Sequence, residues 1–161
     1  MKNDDLAKYL NDHLPGSVGA IEIVDHLIRT YEGKPIAQLF QKLRADISVD
    51  QDELREIMSA LEVKESGMRK AGAWIGEKLG RPKIGLEGKG SGDPGLFVAL
   101  EALVLGITGK QVLWRALAVV QESWPQLQRF DFARPHERAI AHTERVDAKR
   151  LAAAGEALQP K

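Results

Sequence analysis

No cysteine occurs among the 161 residues. A disulfide framework, a thiolate metal site and a cysteine nucleophile are therefore all excluded. Net charge is also lacking, because 23 basic residues balance 23 acidic ones. That balance argues against a nucleic-acid binder, which usually presents a basic face. No run alternates apolar and polar residues as a half-buried strand does, whereas Ala, Leu, Glu, Lys and Arg are plentiful, so the chain reads as all-α. The opening residues, Met1-Lys2-Asn3-Asp4-Asp5, carry no signal-peptide apolar core, and a cytoplasmic location is the default expectation. There is no Gly-x-Ser-x-Gly elbow for hydrolysis. Gly85 to Ser91 lacks phosphate-loop spacing and follows no strand. Gly106-Ile107-Thr108-Gly109-Lys110 lies inside a helical pattern, where its glycines are expected to allow close helix packing.

What is present is organised around Leu96 to Val120. Leu96, Leu100, Leu103, Ile107, Trp114 and Ala118 share one stripe at about 100° per residue, flanked by Phe97, Val104 and Gln111. A second stripe carries Val98, Leu105, Val112 and Val119, with Glu101 and Thr108 beside it. A helix that is apolar on two sides needs two covers. One is the rest of a bundle; the other is a short helix from the preceding connection or a second subunit. A membrane span would need about 18 or more nearly uncharged residues, and Glu101, Lys110 and Arg115 interrupt the run. No membrane role is expected. Trp74, Trp114 and Trp124 read as core or interface anchors.

Four further helical segments follow from apolar spacing. The first covers about 4–31, with stripe residues Leu6, Leu10, Leu14, Ile21, Val24, Leu27, Ile28 and Tyr31. Pro15 and Gly16 predict a bend near Asn11 to Pro15, or a helix that starts only at Pro15. Gly33-Lys34-Pro35 marks a turn. The second helix covers about 35–61, with Ile36, Leu39, Phe40, Leu43, Ile47, Leu54, Ile57, Met58 and Leu61 on one side and Asp50 in their midst. An antiparallel hairpin pivoting at Gly33 brings His13 and Ser17 beside Asp50 and Glu53. A short helix is expected over 66–79 within a long, glycine-rich connection. The central helix spans 94–122. The last spans 131–158, with Phe132, Ala139, Ile140, Thr143, Val146, Leu151 and Ala154 inward and His136 and Asp147 among them.

Two antiparallel helix pairs joined by a long connection resemble the ferritin-like superfamily. The resemblance implies a ferritin-like four-helix bundle with a long crossover carrying a short extra helix. Di-metal members usually carry a Glu on two helices and Glu-x-x-His on the other two. No Glu-x-x-His occurs here, so the closer likeness is to a bacterial branch without those motifs. Glu22, Asp25 and His26 form a local cluster that exposed charges on a wet helix face explain.

His13 and Asp50 remain the candidates for one metal ion, with Glu53, Glu101, His136 or Asp147 contributing; iron, manganese or zinc suits such donors. The alternatives are a His–Asp hydrogen bond kept in the core, since a buried carboxylate needs a partner, or ordinary exposure. The reading reached from sequence is a non-catalytic bundle acting through protein association as a homodimer through helix 94–122. The resemblance to ferritin-like proteins, by analogy alone, implies a role in a stress response. A metal-binding protein is the alternative, and an apolar ligand held between the helices is a third.

Overall fold

The computed structural model describes residues 4–67 and 94–160. These form four long helices: α1, Asp4–Thr30; α2, Ile36–Ala60; α3, Pro94–Val120; and α4, Ala133–Ala157. Among the described residues there is no strand. The short helix expected over 66–79 falls, from residue 68 onward, outside the described residues, while Ser66 and Gly67 are not helical.

Local chemistry explains where the helices begin and end. Asp4 and Asp5 stand in the first turn of α1, where carboxylates suit the positive end of the helix dipole. Pro15 lies inside α1, which nonetheless runs unbroken from Asp4; a start at Pro15 is thus not what the chain does. Gly33, with φ of 75°, supplies the left-handed residue of the turn into α2. At the other end of α2, Val63 N–H reaches Met58 O at 2.8 Å and Glu62 N–H reaches Ser59 O at 3.0 Å, a Schellman closure. It places Glu62 at φ 57°, a conformation usually left to glycine.

Two 3-10 turns, Gln121–Ser123 and Pro125–Leu127, lead out of α3. Gln121 Nε2 donates to Leu127 O at 3.1 Å and Phe130 O at 2.7 Å, holding the corner. Asp131 Oδ1 accepts Ala133 N–H and Arg134 N–H at 3.0 and 3.3 Å, satisfying donors at the start of α4.

Cross-helix contacts fix the direction of each element. Ser17 meets Gln51 and Asp25 meets Arg44, so α1 and α2 are antiparallel. Gln111 meets Thr143 and Glu101 meets Arg150, so α3 and α4 are antiparallel. Between the pairs, Glu56 meets Arg129, Glu53 meets Arg138 and Asp46 meets Arg145, so α2 and α4 are also antiparallel. It follows that α2 and α3 run the same way.

One core joins all four helices, including Leu10, Leu14, Phe40, Ile57, Leu103 and Trp114. Burying a side chain of this size contributes about 1.5–3 kcal/mol. Trp114 stacks near Phe132, with ring centroids 6.5 Å apart. In α3, Leu113 and Leu117 are buried, whereas Ala118, expected inside, is exposed; α3 packs against both α1 and α4, so its inner face is broader than one stripe. In α4, Ile140 and Leu151 point outward while His142 and Ala153 are buried. There the sequence offers few large apolar residues to define a face, and polar pairing decides it.

The second stripe of α3 is left uncovered among the described residues: Leu105, Val112 and Val119 are 56%, 50% and 83% exposed. Gly95–Ser123 is long and apolar enough to cross a membrane by length and composition.

Candidate functional site

Asp50 sits in the apolar face of α2, four residues after Asp46 and three before Glu53, so all three lie on neighbouring turns of one surface. It is 2% exposed. Leaving such a carboxylate unpaired would be costly, and the fold supplies two cations. Arg138 of α4 donates to Asp50 Oδ1 from Nε at 2.9 Å and from Nη2 at 2.6 Å. Lys110 of α3 donates to Asp50 Oδ2. Arg138 also reaches Glu53 Oε2 at 2.7 Å, giving a cluster with two charges of each sign. Burial works against the charge on Arg138, but its hydrogen bond and attraction to Asp50, and then to Glu53, outweigh this and raise its pKa.

One turn away, His142 Nε2 lies 2.9 Å from Asp46 Oδ2, and Arg145 Nη2 lies 3.3 Å from the same oxygen. His142 is 2% exposed. Burial lowers its pKa most, Lys110 lowers it further, and Asp46 and Asp50 oppose them. The neutral tautomer with Nε2–H facing Asp46 leaves Nδ1, which has no hydrogen-bond partner, as an acceptor rather than a stranded donor. The His–Asp pair expected in the core thus exists between residues other than those singled out.

His13 does not partner Asp50. Its ring packs edge-on against Tyr9 at 4.7 Å, and burial lowers its pKa against the pull of Asp12. The hairpin does bring His13, Ser17, Asp50 and Gln51 to one place: all four line a cleft of about 410 Å³ that α1 and α2 share with α3. Gln51 Nε2 donates to Ser17 Oγ at 3.0 Å, and Arg55 Nη1 donates to Gln51 Oε1 at 2.8 Å. Ile47, Leu54, Leu113 and Trp114 supply apolar wall. Gly16 and Gly109 line the cleft from α1 and α3, and a Cβ at either would meet nothing within 4 Å. Gly109 therefore does not serve close helix packing, contrary to the expectation. Each interior glycine costs its helix about 1 kcal/mol relative to alanine.

The remaining candidates lie elsewhere. Glu101 and Asp147 both pair with Arg150, at 3.4 and 2.6 Å, so Glu101 does find a partner on another helix. His136 is half-buried in the first turns of α4. Asp25, of the wet cluster on α1, pairs with Arg44 at 2.5 Å. Among the described residues, no three His, Asp or Glu side chains gather as a metal site would require. An ion seated on Asp50 and Glu53 would have to displace Lys110 and Arg138. The donor set that a resemblance to di-metal proteins would imply is not assembled there, and the chemistry available is charge pairing and enclosure.

Lys110, Arg138 and His142 are the members that sequence reasoning missed. For the two on α4 a signal was present: Arg138, His142 and Arg145 repeat at helical spacing and match Asp46, Asp50 and Glu53 on α2. No protein-family model, curated protein or solved structure matches this chain.

Proposed function

We propose that the protein is a non-catalytic ferritin-like bundle that acts by association, and that its first partner is a second copy of itself. The carrying observation is the exposed apolar stripe of α3. Monomers seldom leave such a surface bare.

The spacing favours a copy of the same helix. Val98, Leu105, Val112 and Val119 recur every seven residues, the repeat that keeps one seam facing a partner helix. In an antiparallel two-fold pairing about Thr108 and Gly109, Val98 faces the partner's Val119 and Leu105 faces the partner's Val112. The same axis brings Glu101 to the level of the partner's Arg115, and both are exposed. One patch is then complementary to itself in shape and charge, as a two-fold interface demands. The charges flanking the stripe argue for a protein surface over lipid as its cover. The ferritin-like part of the reading is supported by α2 and α3 running in parallel, an arrangement that one long crossover produces in such folds.

Light scattering after size exclusion tests the proposal. The expected mass is twice the 17.8 kDa chain. Val112→Glu should give single chains with unchanged helical circular dichroism, because Val112 is half exposed and outside the core. A wild-type mass of one chain at about 100 μM, where even a weak specific dimer is populated, sinks the dimer.

A further inference from the structure

Gly16 and Gly109 are unexplained by the fold of one chain. Each sits inside a long helix with open space where a Cβ would stand. An interior glycine weakens its helix, and neither brings a neighbour of the same chain closer. Their place in the fold relates them to the exposed stripe of α3. Gly109 follows Leu105 by four residues and precedes Val112 by three, so it lies between these two on the helix surface. Leu105, 56% exposed, lines the same cleft as both glycines. Ala102 and Ala116 stand seven residues to either side of Gly109. The seam of α3 thus sets small residues beside large ones at each repeat.

The level of Gly16 is fixed independently. Because α1 is antiparallel to α2, it is antiparallel to α3 as well. Leu6 and Tyr9 share a groove with Leu117 and Val120, so Gly16, two turns after Tyr9, reaches the level of Gly109. The midpoint of the seven-residue repeat, at Thr108 and Gly109, is therefore the level at which two adjacent helices both lack side chains.

We propose that the α3 helices of two copies meet with their axes only about 8 Å apart, crossing at Gly109, and that Gly16 of α1 keeps the approach clear. This rests on the self-association argued above and fixes where, and how closely, the copies meet. Helix axes pack roughly 8–10 Å apart according to the side chains between them, and small residues along a seam set the short end of that range. The open space at Gly109 then receives the other copy, with Leu105 and the partner's Val112 closing over it. A long side chain at Gly109 would wedge the axes apart, and one at Gly16 would stand in the path of the incoming helix.

The lack of cysteine makes the test direct, because a disulfide in a single-cysteine variant must join two chains. With Cα atoms about 2.3 Å from each axis, the two copies of Thr108 come about 5 Å apart at the short separation and about 7 Å apart at the long one. A disulfide needs roughly 4.4–6.8 Å. Thr108→Cys should therefore be joined almost completely in a glutathione buffer. Val119→Cys, whose two copies lie about 30 Å apart across the axis, should stay reduced.

Gly109→Leu and Gly16→Leu enter open space and should keep the wild-type circular dichroism and melting temperature of the single chain. Each should weaken dimerisation about tenfold or more by sedimentation equilibrium. If the wild type is a dimer but Thr108→Cys stays reduced, or Gly109→Leu dimerises at wild-type strength, the close crossing is overturned while self-association stands. Undiminished dimerisation of Gly16→Leu removes α1 from the contact. A single-chain mass for the wild type overturns self-association and this inference together.

Discussion

Arg138 and Asp50, 88 positions apart in the chain, meet through two guanidinium nitrogens on a single carboxylate oxygen. That leaves the second oxygen for Lys110. Three helices are thus pinned at one point, each by a charge that none of them could bury alone.

Removing Asp50 should therefore cost more than a usual surface change. Asp50→Ala leaves Lys110 without its counter-charge and Arg138 with Glu53 alone. We expect a loss of about 3 kcal/mol, at the low end for a broken buried pair, because the two cations keep 13% and 22% of their side-chain exposure. Urea unfolding measures it. Asp50→Leu combined with Lys110→Met should recover part of the loss; a cost below about 1 kcal/mol for the single change would show that water, not the pairing, carries these charges.

Acid should weaken the fold through its buried histidines. His13 and His142 both have lowered pKa values, so the folded chain takes up their protons less readily than the unfolded chain. Their penalty is absent above the unfolded histidine value of about 6.5 and grows as pH falls below it toward the folded values. Urea midpoints should drop between about pH 7 and pH 5.5, with a shallower slope in His142→Gln. A flat profile over that window contradicts the assignment of neutral, buried imidazoles.

Charge reversal tests the two-fold pairing of α3 directly. Glu101→Arg and Arg115→Glu should each weaken self-association about threefold to tenfold, since an exposed pair contributes up to about 1 kcal/mol and occurs twice per dimer. Sedimentation equilibrium on the double exchange should show most of the affinity restored. Additive losses would place the two residues apart.

Alanine at the cleft glycines should stabilise the protein. Gly16→Ala and Gly109→Ala add a Cβ that meets nothing and remove backbone freedom from the unfolded chain. About 0.5–1 kcal/mol each is expected, or a few degrees in melting temperature for a chain of this size. A loss of stability at either position would mean that the glycine is needed for packing.

The four long helices were readable from residue spacing to within two residues at each end, because their apolar periods are long and their turns carry Gly33, Pro35 and Pro125. The hairpin partnership of the α1 segment around His13 and Ser17 with the α2 segment around Asp50 was readable for the same reason, although the pivot lies nearer Lys34 than Gly33. What could not be read was the level of one hairpin against the other. No local signal fixes it, and the level decides whether Asp50 meets His13, His136 or Arg138. The polar α4 made this worse: its inward face is set by Arg138, His142 and Arg145 meeting the acids of α2, not by Ile140 and Leu151. The outward stripe at Leu105, Val112 and Val119 was legible because seven-residue spacing survives any error in level.

The parallel course of α2 and α3 has a kinetic consequence. Each hairpin closes over a connection of at most twelve residues and gathers contacts between residues 19 to 49 positions apart. Partners across the seam lie 60 to 99 positions apart, so the hairpins form faster. The seam between hairpins joins residues tens of positions apart, so its loop-closure entropy is met only when the two halves dock. The charges at Asp50 then belong to the last step of assembly. Their loss should appear in how quickly the molecule comes apart, and hardly at all in how quickly it forms.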